Sequence, residues 1–397
     1  MMQITIPNEI IHQFLEDNEE GMRQLITYFL NAVMKEEARI QSGALPYERT
    51  SSRKAYRNGY RKRQLKTKYG TVELLKPQLR EIPFKTRVFE RYSRVEKAFR
   101  NAIIESYIQG VSTRRIKQIV EALSDEEISP QFVSNVAKGL NEKVKEFLNR
   151  PIEEELPYLF VDASYFKVRD EKAGRYRTKA LLIVAGVRKD GYREILGLKL
   201  VDSEGEGFWL ELFEELKERG LKGVELVISD GHRGIRSAVE KAFIGASWQM
   251  CHVHFIRDVL KKVPKKGWKR ISRRLKESLM SAESLKKFIE ELEMEGFKDA
   301  ARTCERYMED LFNYQAFPEE HWRRIRTTNM LERVAKELKR RARVVGAFPN
   351  EESLIRLAGC ILIDINEEWM LGRRYLNMDD FLDTANREVI ENFTAIS

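Results

Sequence analysis

The sequence predicts an α/β protein in which a mostly helical region precedes a mixed sheet and further helices follow it. Three observations lead to this prediction. Apolar residues recur at helical spacing up to Arg150-Pro151, and beyond that point they form runs typical of strands. Five such runs lie between residues 158 and 253, with helical segments between the later ones. From residue 256 onward the helical spacing returns.

Residues 1–75 are predicted to be helical at first and then strongly basic. Leu25, Ile26, Phe29 and Val33 mark one face of a helix. Between residues 49 and 72 there are nine basic residues and no acidic one. Polarity then alternates around Tyr69-Gly70, which predicts a short hairpin over 65–75. The excess of positive charge indicates contact with DNA phosphates. The candidates for these contacts are Arg53, Arg57, Arg61, Lys62 and Arg63.

Residues 76–150 are predicted to form a second DNA-binding region that resembles a helix-turn-helix. Three helices are expected between residues 94 and 149. The first ends near Gly110, the second begins after Ser112, and the third begins at Ser129-Pro130, where serine caps the helix and proline fits its first position. The candidates for DNA contact on the second helix are Arg114 and Arg115. An ordinary helical bundle is the alternative.

Residues 151–255 carry the pattern of a mixed sheet. The predicted strands are 158–168, 179–188, 192–201, 224–229 and 247–253. Asp190-Gly191 is a strong hairpin signal between the second and third strands. Helices are expected before the fourth strand and before the fifth. This order predicts three antiparallel strands joined by hairpins, followed by strands added through helical crossovers. Residues 256–326 and 327–397 are expected to be helical.

The charge balance indicates a polyanionic partner. The 397 residues carry a formal net charge of +9, which favours nucleic acid or an anionic membrane surface. No apolar run approaches the ~20 residues that a membrane-spanning helix needs, and no signal peptide is visible, so no membrane partner is expected. Cys251, Cys304 and Cys360 are far apart and odd in number, which favours a reducing, cytoplasmic setting.

Two aspartates follow apolar strand-like runs. Asp162 comes after Leu159-Phe160-Val161, and Asp230 ends the predicted fourth strand. If the two strands are neighbours, the carboxylates emerge together, and a hard cation such as Mg²⁺ would relieve their repulsion. A strand-end aspartate can instead cap the next turn, and for Asp230 alone the two interpretations are evenly balanced. Asp162 is harder to explain without a partner, because a carboxylate within a buried strand is costly.

Glu332 is the candidate for a third carboxylate. It lies on a predicted helix whose apolar face includes Leu331, Val334 and Leu338. Its spacing from Asn329 also fits a capping box, in which it would bond back to the helix start. The same helix is strongly basic, which suits a site that holds a phosphodiester backbone. The candidates for DNA contact on it are Lys339, Arg340 and Arg341.

Six blocks of sequence, taken together, carry a resemblance to a known family. They are Arg57–Tyr60, Val88–Tyr92, Gly110–Arg114, Ser229–His232, Cys251–Phe255, and a last block running from Thr328-Asn329 through Glu332-Arg333 to Val344–Asn350. In this order and spacing they resemble bacterial insertion-sequence transposases of the Mutator superfamily, over nearly the whole chain. The chain departs from the family pattern at Ala335, where asparagine is common, and at Lys76–Arg80, where a proline-arginine signature is degraded.

The resemblance implies a ribonuclease-H-like catalytic core with an all-helical insertion over residues 256–326. It implies that Asp162, Asp230 and Glu332 form a catalytic triad that holds Mg²⁺ or Mn²⁺. The implied activity is cleavage at terminal inverted repeats and transfer of the ends into target DNA. Two ends need two sites, so a homodimer or larger assembly is expected on DNA. The alternatives are a decayed transposase that regulates without cutting DNA, and a structure-specific nuclease.

Three further residues are expected near the site. Cys251-x-x-His254 suggests zinc, but no second paired motif completes four ligands, so a structural role beside the site is favoured. His232 follows Asp230 and is expected either to contact a phosphate or to pack at a helix start. Between Lys261 and Arg274 there are eight basic residues in fourteen and no acidic one. Such a run is usually a solvated face, but in this basic chain contact with DNA is favoured.

Overall fold

A computed structural model of the chain describes residues 6–67, 69–88, 100–124, 129–170, 174–379 and 381. It divides into two compact units, residues 1–139 and 140–397. The α/β class predicted from the sequence is confirmed, since a five-stranded mixed sheet lies among many helices. Part of the predicted block Val88–Tyr92 and the start of the helix expected from residue 94 lie outside the described residues.

The first unit opens with two helices and a β-hairpin. These are α1 (Asn8–Glu16), α2 (Asn18–Ser42), β1 (Arg57–Thr67) and β2 (Gly70–Leu79). The hairpin packs on α2 and buries Leu65, Val72 and Leu74 against Leu30 and Met34. It is longer than the 65–75 expected, because the basic residues before Leu65 continue the first strand. Their side chains are exposed on nearly every position, so β1 lacks the alternation that reveals a strand in sequence.

Three further helices are seen among the described residues of this unit. They are α3 (100–108), α4 (Thr113–Ser124) and α5 (Pro130–Lys138). The predicted start of the last helix is confirmed: Ser129 Oγ accepts a hydrogen bond from the Phe132 amide at 3.0 Å, and Pro130 occupies the first turn. Ile103, Ile116 and Val133 form the small core between the three helices. The helix does not run on to residue 149 as expected but ends before Gly139.

The second unit begins with α6 (Leu140–Asn149), which packs on α15 (Glu351–Leu371). Its sheet contains β3 (Tyr158–Asp170), β4 (Arg175–Val187), β5 (Arg193–Val201), β6 (Leu226–Ser229) and β7 (Ser247–Met250). The strand order is β5-β4-β3-β6-β7. The first three strands in the chain are antiparallel neighbours, and β6 and β7 are added in parallel to β3. The predicted hairpin-then-crossover order is confirmed.

The two faces of the sheet are covered by different helices. Because side chains alternate along a strand, Leu159 and Val161 of β3 face α7 (Glu206–Glu218) and α8 (Arg233–Ala242), where Trp209 and Phe213 are fully buried. Phe166 points to the other face and packs against α14 (Asn329–Ala342), α15 and Phe348. Asp162 lies four residues before Phe166 on the same strand. Its side chain therefore points to the same face of the sheet, the one that α14 covers.

Five α-helices lie between β7 and α14 in the chain. They are α9 (His252–Leu260), α10 (Trp268–Ser278), α11 (Ala282–Met294), α12 (Lys298–Tyr307) and α13 (Glu319–Ile325). The fifth strand was predicted to continue to Val253, and this is wrong: β7 ends at Met250, and Cys251 caps α9. Apolar residues continue through this point, so the run itself does not reveal the change. Among the described helices none is long and apolar enough to cross a membrane.

Candidate functional site

Asp162 and Asp230 lie on adjacent parallel strands. The register between β3 and β6 pairs Leu159 with Val227 and Phe160 with Ile228. The ladder ends there, and Asp162 and Asp230 each lie two residues beyond its last pair, Phe160 with Ile228. Burial and the charge of Asp230 raise the pKa of Asp162 to about 6, while His254 opposes the rise. The two strands are neighbours, as the prediction required, and the charge of Asp230 acts on Asp162.

The Asp230 side chain also shapes its own loop. Its Oδ1 accepts a hydrogen bond from the His232 amide at 3.2 Å, so Asp230 caps its own turn, as the alternative interpretation predicted. His232 caps the start of α8 through its backbone, and its Nδ1 is buried without a hydrogen-bond partner in the described structure. Tyr307 of α12 donates its hydroxyl to the Gly231 carbonyl at 3.0 Å, which ties the loop to the helical insertion.

Glu332 is held by side chains of α9. Its Oε1 lies 2.7 Å from Arg257 Nη1 and 3.7 Å from His254 Nε2. The capping-box alternative is wrong, because α14 is capped at Thr328, whose side chain makes no capping hydrogen bond to the helix. His254 connects Glu332 with the two aspartates, since their charges act on it as well. In the part of the chain that the structure describes, however, no three acidic, histidine or cysteine side chains are arranged to hold a metal ion.

Cys251 and His254 form a small polar cluster with Thr328. The buried Cys251 Sγ accepts from the Thr328 amide and hydroxyl, each at 3.3 Å, and the hydroxyl lies 3.4 Å from His254 Nδ1. Burial lowers the pKa of His254, but Cys251, Asp230 and Asp162 raise it overall to about 9. The imidazolium therefore faces the carboxylates. The neighbouring His252 does not join this cluster, because its ring bonds to the Leu311 carbonyl.

Two residues beside the site were not identified from the sequence. Arg257 is one. The other is Glu204, whose Oε2 accepts a hydrogen bond from the Tyr165 hydroxyl at 2.6 Å and whose Oε1 is buried without a partner in the described structure. Burial and the charge of Asp230 raise its pKa, although the bond from Tyr165 opposes this. Glu204 follows β5 closely, as Asp230 follows β6, and that shared pattern was the available signal.

The residues predicted to contact DNA differ in the exposure of their side chains. Arg61, Lys62, Arg63, Arg114, Arg115, Lys339 and Arg340 are exposed, while Arg53 and Arg57 are partly buried. Lys62 pairs with Glu73 at 2.7 Å. Arg53 lies over the Tyr56 ring at 5.2 Å. Arg341 is only 9% exposed, and its guanidinium pairs with Glu337 at 2.6 Å and Asp364 at 3.4 Å. The charge of Arg341 is therefore neutralised within the protein rather than presented to DNA.

Comparison with known proteins identifies the family. The family model described as "Transposase, Mutator family" matches residues 4–372. The transposase for insertion sequence element IS256 in transposon Tn4001 of Staphylococcus aureus is 37% identical over 95% of this chain and 99% of its own length. The transposase for ISRM5 of Rhizobium meliloti is 38% identical, over 93% and 94%. That for IS1081 of Mycobacterium tuberculosis is 34% identical, over 92% and 90%. The chain belongs to the Mutator family of transposases, as its sequence blocks predicted.

Proposed function

We propose that this chain binds the terminal repeats of an insertion sequence and catalyses metal-dependent strand cleavage and strand transfer on a ribonuclease-H-like core. The observation that carries the proposal is the parallel pairing of β3 with β6, because Asp162 and Asp230 each follow the last pair of this ladder by two residues. The strand order, with three antiparallel strands and two parallel additions, supports this core. Membership of a transposase family supports the substrate.

Asp162, Asp230 and Glu332 would hold the metal. Carboxylate oxygens are the ligands that Mg²⁺ and Mn²⁺ prefer, and a cation would offset both the burial and the charge of Asp230 that raise the pKa of Asp162. Glu332 would first have to leave Arg257. When bound, such a metal lowers the pKa of an attacking water or hydroxyl and stabilises charge on the phosphoryl group.

The chain's own residues would orient the DNA around these carboxylates. His254 supplies a positive charge beside them, and Arg257, once free of Glu332, presents a guanidinium that suits a phosphate. The exposed cations of the β1–β2 hairpin and of α4 would also bind DNA phosphates. Because two ends must be joined, each would need its own site, and we propose a dimer or larger assembly on DNA.

The test is metal-dependent cleavage of a duplex that carries the element's end. D162A, D230A and E332Q should each reduce the cleavage rate at least about a thousandfold, because each removes a charged ligand for a hard cation. DNA binding without metal should stay within a few-fold of wild type, since it depends on lysine and arginine. Cleavage within a few-fold of wild type in any of the three variants would contradict the assignment of that residue.

E337Q is the matched control on the same helix. Glu337 is five residues from Glu332, so at ~100° per residue it points away from the site. It pairs with Arg340 at 2.8 Å and Arg341 at 2.6 Å. E337Q should cost about 1–2 kcal/mol of stability, because it weakens a charged pair of the buried Arg341, and should leave cleavage unchanged. The reverse ranking of E332Q and E337Q would reject Glu332 as a ligand. Binding without cleavage by the wild-type chain would favour a regulator.

A further inference from the structure

Some of the basic residues between Lys261 and Arg274 form ion pairs within the protein, and others do not. Arg270 and Arg274 of α10 point towards the end of α11. Arg270 Nη2 and Arg274 Nη1 each lie 2.5 Å from a carboxylate oxygen of Glu295, and Arg274 also contacts Glu291 at 2.5 Å. These ion pairs connect α10 with α11, and they neutralise the charges of the two arginines within the protein.

The remaining cations of α10 form a separate face, which we call the basic stripe: Lys269, Arg273 and Lys276. They are spaced by four and three residues and therefore share one side of the helix. All three are exposed, and none has an ion pair or hydrogen bond recorded in the described structure. With Ser272, Glu277 and Met280 they line a shallow open groove of about 550 Å³. Glu277 is the single acidic residue in that lining.

The spacing of the basic stripe suits a regular polyanion. Like charges at this spacing on a helix repel by a few tenths of a kcal/mol per pair, so nothing in α10 itself favours the arrangement. From Lys269 to Lys276 the helix rises about 10 Å. One strand of DNA carries a phosphate about every 3.4 Å along the helix axis, so the stripe spans about three phosphates.

The stripe also belongs to the segment that continues from the candidate site. Arg257, which holds Glu332, lies on α9, and α10 packs on α9 after a short connection. Lys261 follows Arg257 by one helical turn. We infer that the basic stripe binds the phosphodiester backbone of the duplex DNA that enters the candidate site. The identity of that DNA rests on the proposed function, whereas the binding of a phosphodiester backbone by the basic stripe does not.

The experiment compares two double variants of the full chain that remove the same charge from the same helix. K269Q/R273Q removes two stripe cations, and R270Q/R274Q removes the two paired arginines. Affinity for a duplex carrying the element's end, and for one of random sequence, is measured without divalent metal over a range of salt concentrations. Each lost phosphate contact lowers the slope of log affinity against log salt by about 0.9. K269Q/R273Q should therefore lose between one and two units of slope on both duplexes, and adding K276Q should lower it further.

R270Q/R274Q should leave the slope within half a unit of wild type, although its unfolding midpoint should fall because α10 and α11 lose their ion pairs. If both double variants lowered the slope of log affinity against log salt equally, DNA binding by the basic stripe would be rejected. The loss would then come from net charge and not from the position of the cations. An unchanged slope for K269Q/R273Q, with folding intact, would also reject it. Because no cleavage is measured, these outcomes are separate from failure of the carboxylate variants, which would overturn the proposed catalysis alone.

Discussion

Glu332 is engaged by an arginine whose charge would compete with any metal ion for the same carboxylate. The side chain of Arg257 is 54% exposed and that of Glu332 is 27% exposed. Water therefore screens the pair, and such exposed ion pairs contribute about 0.2–1 kcal/mol. That is enough to hold Glu332 in one position without metal and too little to resist a divalent cation.

The first prediction follows from this competition. R257Q should tighten Mn²⁺ binding to the DNA-free chain about two- to fivefold, because releasing Glu332 no longer costs the ion pair. Electron paramagnetic resonance of free Mn²⁺ during a titration measures this directly and does not depend on catalysis. R257K is the control, and it should bind Mn²⁺ close to wild type because it keeps the charge. Weaker or unchanged Mn²⁺ binding by R257Q would show that Arg257 does not restrain Glu332.

Among the elements, the loop between β6 and α8 depends on the helical insertion. A Cβ added at Gly231 would lie 2.5 Å from the Tyr307 hydroxyl oxygen and 2.8 Å from its Cζ. Only glycine therefore allows α12 to pack directly against the residue that follows Asp230. The insertion thus supports the position of a candidate metal ligand.

G231A should lower the free energy of unfolding by about 1–3 kcal/mol, because Tyr307 must move to make room for the methyl group. It should also reduce cleavage, since Asp230 is the adjacent residue. The matched control is G207A in α7, where an added Cβ would meet nothing within 4 Å. That variant should be neutral or more stable by up to about 1 kcal/mol, because alanine favours a helix. Equal unfolding curves for the two variants, measured in urea, would contradict the packing argument.

At the scale of the whole molecule, His252 links stability to pH. It is 6% exposed, and its Nε2 lies 2.8 Å from the Leu311 carbonyl oxygen beyond α12. Burial lowers its pKa to about 4, although the bond to Leu311 partly opposes this. Because the folded chain resists protonating His252 more than the unfolded chain does, its contribution is fully present above about pH 6.5 and is lost as the pH falls towards 4.

H252Q should therefore flatten the pH dependence of unfolding. Between pH 7.5 and pH 4 the wild type should lose about 3 kcal/mol relative to H252Q, as measured by urea unfolding at each pH. Burial raises the pKa of Asp310 to about 6, and its opposite effect is present in both proteins and cancels in the difference. H12Q, which removes an exposed histidine of α1, is the control for loss of a histidine and is measured over the same pH range. Parallel curves for H252Q would mean that His252 does not set this dependence.

The sequence by itself determined the elements and the types of residue at the site. Apolar periodicity, the Ser129-Pro130 helix start and the Asp190-Gly191 turn are local signals, and local backbone preferences are sufficient to predict them. Asp162 and Asp230 were identifiable because a carboxylate after a buried run needs an explanation. Glu332 was the candidate for a third carboxylate from its place on a basic amphipathic helix, and the family blocks agreed with it, while its contact with Arg257 was not predicted.

Only the tertiary structure decided which of these residues meet. The adjacency of β3 and β6, the Arg257–Glu332 ion pair and the Tyr165–Glu204 hydrogen bond all join residues far apart in sequence. The same holds for charge: Arg341 is buried by its pairs, and the run from Lys261 to Arg274 is split because α11 brings two glutamates to one side of α10. The sequence does not show whether an acidic partner reaches a given basic residue. Packing between distant segments determines whether its charge is neutralised.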